Sequence, residues 1–498
     1  MKLRLTESAQ KIIDIQSPPK LIKKMIGFFL VFIEKYSGLS IYLEIPPSLA
    51  GTPPENLPIL NSLYQLKSLG VSSKIDHLPR YSDEPFMHEY SCRVHSPANQ
   101  MSDCVSGADF SDQKEAIRKT IEETFKSYQW NNYDPRLDKK IWHASFEEIK
   151  QPKIDIFELA GFKIDGKFQP EIATFKKNTA LGWIKASSLI SGKDIYCPAQ
   201  LASLVYFQKY SKTLSNPKNI EPMLRWAEGS APSIGRTSEE AIVKGILELA
   251  KNDALMIAYL NNISPPALNQ HDLSEQNEEL KAILKKFKRY QLETYLVCLP
   301  TDFPFHIIMS AIIDRTGIGP TLTISAKAGF DLKNCIVDSL SECLSKRLLF
   351  RRKMDGTMPN GKTSKTTAEN RLAYWTKLEN LPKIEFLLKG EEMTVDLSKN
   401  TSFFIEPPEG EVQYWKNKLK LLTRKLNSLQ YQACYIDLTS KKTKSFGLKC
   451  VKVIIPELQP IHSDETIPYF YGKRLEEVPK KLGYKITKNI NRIPHPFA

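Results

Sequence analysis

Two stretches of this chain, Glu115–Lys126 (EAIRKTIEETFK) and Glu240–Lys251 (EAIVKGILELAK), are identical at seven of twelve positions. A looser third copy, Cys335–Lys346, puts Ile336, Leu340 and Glu342 where the first has Ile117, Ile121 and Glu123. In helical geometry Ile117, Ile121 and Phe125 fall on one face, as do Ile242, Ile246 and Leu249. A second face carries Lys119, Glu123 and Lys126 in one copy and Lys244, Glu248 and Lys251 in the other. The recurring glutamates Glu123, Glu248 and Glu342 are 125 and 94 residues apart. That is too irregular for a solenoid and fits duplication within one domain that shares a single centre. Two readings of the glutamate stay open. It belongs to a solvated face, with lysine four before and three after, or three helices converge on one polar site and each delivers a carboxylate.

The chain is long enough for two or three ordinary domains or one large one, and 41% hydrophobic residues supply a sizeable core. Its longest apolar run, Met25–Ile33, is about half of a bilayer span. It follows some twenty mixed polar residues rather than the short basic start of a signal peptide, so a buried helix or strand is expected there. The eight cysteines form no CxxC pair, which predicts reduced core thiols in a cytoplasmic protein. The net charge of +14 permits an acidic, nucleotide or nucleic-acid partner. Its basic clusters, Lys285–Arg289, Lys346–Lys353 and the lysines of Lys416–Lys425, lie on helical patterns without regular aromatic interleaving or a nucleic-acid motif. They read as solvated faces.

Residues 1–60 mix a polar start, the apolar run and a Pro-rich stretch that reads as a linker. Short strands begin near Val71. Ser106–Phe110 leads into the first glutamate helix, which Asp112 can cap. Leu181–Pro198 reads as strand, turn at Ser191-Gly192, strand. The small-residue loop Gly229–Gly235 precedes the second helix, where Thr237 or Ser238 is the natural cap. Such a loop is a generic anion cradle, although it matches no Walker or dinucleotide pattern. Tyr295–Leu299 and Ile307–Ile313 read as buried strands, and Gly317–Ile324 as a turn into another. A basic loop is expected over 351–370, a long amphipathic helix over Glu411–Leu429, and strands over Gln432–Leu438 and Lys449–Ile455.

Several of these stretches, taken in order, resemble the YcaO family, specifically its members that build thiazole and oxazole rings into ribosomal peptides. The carrying residues are Trp183 with Ser188–Lys193 and Pro198-Ala199, then Ser238–Glu248 followed by Asp253-Ala254. Val453–His462, Gly472–Leu475 with Pro479, and the terminal Pro494-His495-Pro496-Phe497 complete the set. The resemblance covers roughly residues 65–498 and leaves 1–60 outside, as an extension of unknown role. It implies an α+β fold, with mixed sheets flanked by helices and an internal pseudo-repeat, whose helices carry glutamates to an ATP–magnesium site. In active members a Cys, Ser or Thr side chain attacks the preceding amide carbonyl, ATP phosphorylates the amide oxygen, and elimination leaves an azoline. Magnesium favours carboxylate oxygens, and phosphoryl transfer depends on positioning and charge neutralisation.

Carried over residue by residue, the resemblance implies nucleotide binding by Glu123, Glu240, Glu248, Glu342 and Arg347. It implies magnesium ligation by Glu123, Glu248 and Glu342, and a tail of Pro494, His495, Pro496 and Phe497 directed into the site. One departure bears on activity. The family's helix motifs carry a second glutamate three residues on, followed by arginine. Here those positions hold Lys126-Ser127 and Lys251-Asn252. An ammonium ion cannot ligate magnesium, and it repels one by on the order of 4 kcal/mol per close contact at intermediate dielectric. The small-residue loop departs too, with Gly229-Ser230-Ala231-Pro232 where the family has Ser-Thr-Gly, and with Pro232 lacking an N–H. The expectation is a degenerate partner or scaffold subunit of a cyclodehydratase complex in thiazole/oxazole-modified microcin or bacteriocin biosynthesis. The alternative is an active ATP-dependent cyclodehydratase. No leader-binding module is recognised in the chain. Expected partners are therefore a precursor peptide, a leader-peptide-binding protein and a second YcaO-type subunit, within a homo- or hetero-oligomer. Neither a membrane nor a nucleic acid is expected.

Overall fold

A computed structural model describes residues 66–78, 81–95, 104–137, 141–162, 171–213, 216–226, 232–357, 368–398, 410–486 and 489–497. Residues 1–60, the Met25–Ile33 run and Gly229–Ala231 lie outside these, so the expectations placed on them do not enter the structure.

In chain order, β1 (Ser72–His77), β2 (His88–Val94) and β3 (Cys104–Asp109) form an antiparallel three-stranded sheet. The first glutamate helix, α1 (Gln113–Asn132), follows and packs on β2 and β3. Asp112 starts it by accepting from the Lys114 N–H, as its sequence position predicts. Next come β4 (Trp142–Ser145), β5 (Ala180–Ser188), β6 (Asp194–Pro198) and β7 (Ser233–Gly235). The β5–β6 hairpin turns at Gly192, whose φ of +68° is one that glycine adopts without strain.

The second glutamate helix, α2 (Ser238–Leu260), is capped by Thr237, whose side chain accepts from the Glu240 N–H at 3.1 Å. After it come β8 (Ala267–Leu268), α3 (Gln270–Gln276), α4 (Glu278–Arg289), β9 (Leu292–Cys298), β10 (His306–Asp314) and β11 (Leu322–Gly329). The third glutamate helix, α5 (Leu332–Thr357), packs on β10 and β11. The chain closes through α6 (Ala368–Trp375), β12 (Glu392–Met393), α7 (Gly410–Ser428), β13 (Cys434–Asp437), β14 (Lys449–Ile454) and α8 (Arg474–Lys481).

Two larger sheets result. One runs β11-β10-β9-β8-β12. The other runs β4-β5-β13-β14-β7, with β6 also paired to β5. Helix α2 contacts β7 and β14 of the second sheet and β11 of the first, which explains why it is buried on nearly every side. Ile246, Met256 and Ile257 are fully buried in it, each worth roughly 1.5–3 kcal/mol of apolar burial. Gly245 allows this close approach: a Cβ there would meet Val453 Cγ2 at 2.6 Å. The architecture is the expected mixed α+β arrangement, and the three glutamate helices are three of its longest.

Two expectations are corrected. The third helix continues to Thr357 where a loop was expected, and α6 is already helical from Ala368. The basic cluster within Lys346–Lys353 is also not a solvated face, since Arg347 and Arg351 are buried. The physical reason is long-range pairing that local composition does not display. Arg351 reaches Asp83 and Glu84, and Arg352 reaches Glu89, so acids from the β1–β2 connection and β2 neutralise the helix.

Candidate active site

Helices α1, α2 and α5 present Glu123, Glu248 and Glu342, and each carboxylate meets an ammonium group. Lys126 Nζ lies 2.8 Å from Glu123 Oε2, and Lys251 Nζ 2.7 Å from Glu248 Oε1. Glu342 is held by two lysines, Lys327 of β11 at 2.5 Å and Lys346 at 3.2 Å. The three pairs form one electrostatic cluster. Lys126 is influenced by Glu248 as well as Glu123, Glu248 by Lys251, Lys126 and Lys327, and Glu342 by Lys327, Lys346 and Lys251. The three helices therefore place their glutamates within electrostatic reach of one another's lysines.

Charge decides what this centre favours. Burial raises the carboxyl pKa of Glu248, but Lys251, Lys126 and Lys327 outweigh it and pull the value to about 2. Glu342 is likewise held well below the ordinary carboxylate range, mainly by Lys327 and Lys346 against the opposing effect of burial. Burial also opposes the charge of Lys327, yet Glu342 holds its pKa above the usual ammonium value. Both carboxylates stay ionised and the ammonium stays protonated. Four lysines, Lys126, Lys251, Lys327 and Lys346, stand among Glu123, Glu248 and Glu342, and Asp338 also acts on Lys327. A hard divalent ion takes carboxylate, phosphate and water oxygens, and a neighbouring ammonium group repels it. Each glutamate that would offer magnesium an oxygen has an ammonium group beside it.

A second tier of ion pairs ties the same helices together. Lys119 of α1 bridges Asp109 of β3 at 3.1 Å and Asp338 of α5 at 2.9 Å. Lys244 of α2 bridges Glu240 at 2.7 Å and Glu122 of α1 at 3.5 Å. Glu240 belongs to this tier. It is buried at the start of α2, where it also accepts from the Arg236 N–H.

Arg347 is not brought to the glutamates. It is 2% exposed and donates to both oxygens of Glu84, to Asp314 Oδ2 at 2.7 Å and to the Pro320 carbonyl at 2.9 Å. Gly319 makes room for it, since a Cβ there would lie 2.4 Å from its guanidinium.

The tail is built into the fold. Trp375 Nε1 donates to the Pro494 carbonyl at 2.9 Å, and the Tyr259 hydroxyl donates to the Ile493 and Pro494 carbonyls. Phe497 stacks on the His495 ring, which is fully buried. Burial first, then the neighbouring His462 and Arg371, hold the His495 imidazole neutral. Tyr259 lies eleven residues beyond Glu248 on one helix, a separation of roughly 16 Å. His462, Glu465 and His495 converge closely enough to ligate a metal. However, Arg371 Nη1 stands 2.6 Å from His495 Nε2 and 3.5 Å from Glu465, so a guanidinium already fills the cation position.

Sequence reasoning missed Lys327 and underrated Lys346, which it read as part of a surface cluster. The available signal was Lys327 alone among apolar residues in a strand, between Ala326 and Ala328.

A protein-family model described as YcaO cyclodehydratase, ATP- and Mg2+-binding, matches residues 110–459. No curated protein sequence matches the chain. Among solved structures, a heterocyclase in complex with substrate and cofactor aligns with a TM-score of 0.66 at 18% identity, covering 92% of this chain and 59% of that one. The YcaO protein from Methanopyrus kandleri bound with AMPPCP and Mg2+ aligns at 0.54 and 15% identity, covering 81% and 90%. The E. coli microcin synthetase McbBCD complex aligns at 0.54 and 14%, covering 78% and 88%. The chain spans 59% and 50% of the length of the first two matching structures, both heterocyclases.

Proposed function

Given that the chain belongs to the YcaO cyclodehydratase family, we propose that it is a partner subunit in the maturation of ribosomal peptides whose own magnesium–nucleotide site has been closed by lysines. One observation carries this reading. Lys126 and Lys251 pair with Glu123 and Glu248 three residues before them on the same helices, and Lys327 pairs with Glu342 from β11. An ammonium group in each seat supplies the charge balance that a metal supplies in a site built of acids. The cluster then holds the three helices in register without a cofactor. In this role the chain works beside an active cyclodehydratase, with a precursor peptide and a leader-peptide-binding protein completing the assembly. Two structural neighbours support that setting, one described as bound to substrate and the other as a synthetase complex with pro-MccB17.

Isothermal titration of the folded protein with ATP and magnesium tests the proposal. The expected result is no saturable binding, and saturable micromolar binding overturns it. Pull-down with the neighbouring biosynthetic proteins tests the partner role, with co-purification of a second YcaO-type subunit expected.

A second reading is favoured by the retention and convergence of Glu123, Glu248 and Glu342. On that reading the protein is a divergent ATP-dependent cyclodehydratase that activates a peptide amide through its oxygen. Its lysines would contact phosphate oxygens as point charges. ATP-dependent loss of water from a precursor peptide, with this chain as the sole YcaO protein present, would establish it.

A further inference from the structure

Two buried cations stand apart from the glutamate pairs. Arg225, 5% exposed, follows the apolar Met223-Leu224 pair, and Lys452, 1% exposed, stands in β14 between Val451 and Val453. Side chains alternate along a strand, so Lys452 faces away from Val453, which packs against Gly245 of α2. Its ammonium lies 4.7 Å from the centre of the Trp130 ring, near the end of α1. Trp130 shares one apolar cluster with Phe162, Met223 and Tyr469. Arg225 borders the same cluster: its Cδ and the Tyr469 ring flank Gly161, both within 4 Å of where a Cβ would stand. The two cations are close enough for Arg225 to disfavour the charge of Lys452.

The described residues offer Arg225 little. A guanidinium carries five N–H donors in a fixed fork. Among the described residues Arg225 makes no ion pair, and its hydrogen bond is a single long one, from Nη1 to the Ala160 carbonyl at 3.5 Å. Arg347 and Arg474, also buried, each hold two carboxylates. Burial pulls the Arg225 pKa down to about 10 against Tyr469 and Glu457, which leaves it protonated at neutral pH. Glu457 acts on it without forming an ion pair, and burial pushes that carboxyl up to about 7. A buried lysine can lose its proton, whereas an arginine at neutral pH keeps its charge. Burying such a charge is costly unless acceptors surround it. The next residue, Trp226, adds a buried indole N–H with no partner among the described residues.

We propose that Arg225 and Lys452 form a binding site for an oxyanion of the phosphate class. The guanidinium fork donates to two oxygens, Lys452 supplies a second charge, and one ligand satisfies both. Inorganic phosphate and the phosphate group of a nucleotide share this chemistry. The site uses none of the three glutamates and none of their lysines, so it stands whether or not that cluster takes magnesium.

The test compares the full chain with an R225M variant, without magnesium, by isothermal titration of inorganic phosphate and by thermal midpoints in phosphate and in chloride of equal ionic strength. Phosphate should bind saturably and raise the parent midpoint. In R225M its affinity should fall at least about tenfold. In chloride R225M should be at least as stable as the parent, because an apolar chain in place of a buried charge without a counterion is neutral or stabilising. ATP without magnesium separates the two sources. Competition with phosphate assigns the site to a nucleotide phosphate, and binding of phosphate without competition assigns it to the free ion. Binding of ATP with magnesium that persists in R225M belongs to the glutamate cluster and counts against the closed-site reading alone. An equal response of the parent to phosphate and chloride, undiminished phosphate binding in R225M, or an R225M less stable than the parent in chloride overturns the proposal.

Discussion

Lys327 Nζ sits 2.5 Å from Glu342 Oε2, joining strand β11 to the third glutamate helix. This contact does at the third helix what Lys126 and Lys251 do at the first two: it pairs a recurring glutamate with an ammonium from the chain itself. If these lysines stand where the ligands of a metal would, restoring the acids should restore a need for metal. A K126E/K251E variant changes the local charge by four units. Its thermal midpoint should rise on adding magnesium and fall on chelation, whereas the parent should be indifferent to both. Differential scanning calorimetry with and without magnesium makes the comparison, and an equal response of the two proteins would remove the basis for a closed site.

The depressed carboxyls set an acid limit on stability. Glu248 is held at about 2 against an ordinary 4.5, and Glu342 is shifted in the same direction. A carboxyl depressed on folding stabilises the native state above its unfolded pKa, and this contribution is lost as pH falls from 4.5 through the folded value. The Glu248 side chain is 44% exposed, so solvent screening leaves its own share under about 1 kcal/mol. Urea midpoints measured from pH 5 to pH 2.5 should therefore fall less steeply in an E248Q/E342Q variant than in the parent.

Arg347 answers a different demand. Its guanidinium, 2% exposed, is shared between Glu84 and Asp314, both buried. Removing it by Arg347→Met strands the buried Asp314 carboxylate and leaves Glu84 to Arg351 alone, and should cost about 3–5 kcal/mol, the usual penalty for breaking a buried pair. Gly319→Ala should act in the same direction because its new methyl group would collide with the guanidinium. Chemical denaturation of both variants checks this, and an unchanged midpoint in R347M would show that the pair does not brace the fold.

The helices were legible because their signals are local. Asp112 and Thr237 cap where a cap was expected, and the apolar stripes of Ile117–Phe125 and Ile242–Leu249 face the core. The convergence of Glu123, Glu248 and Glu342 could be argued from recurrence alone. What stayed hidden depends on residues far apart in sequence. Nothing near Lys346–Lys353 reveals that acids from residues 83–89 will bury its arginines, so the run looked like a solvated face and a loop. Lys327 was passed over because a single lysine in a strand has no partner until β11 is laid against α5. The glutamate repeat pointed to the site, and its charge balance needed the third dimension.

The buried tail makes the last prediction. His495 is enclosed by Arg371, His462 and Phe497, and its imidazole is kept neutral. A histidine whose pKa is lowered on folding takes up protons more readily in the unfolded chain. Stability is then full above the unfolded value near 6.5 and declines as pH falls below it. The parent should lose stability between pH 7.5 and pH 5.5, and a H495N variant, which cannot titrate there, should lose less. Histidine NMR signals offer an independent check: the His495 resonances should stay flat across this range. If they shift with a midpoint near 6.5, the ring is open to protons and the tail is not sealed against α6 and Tyr259.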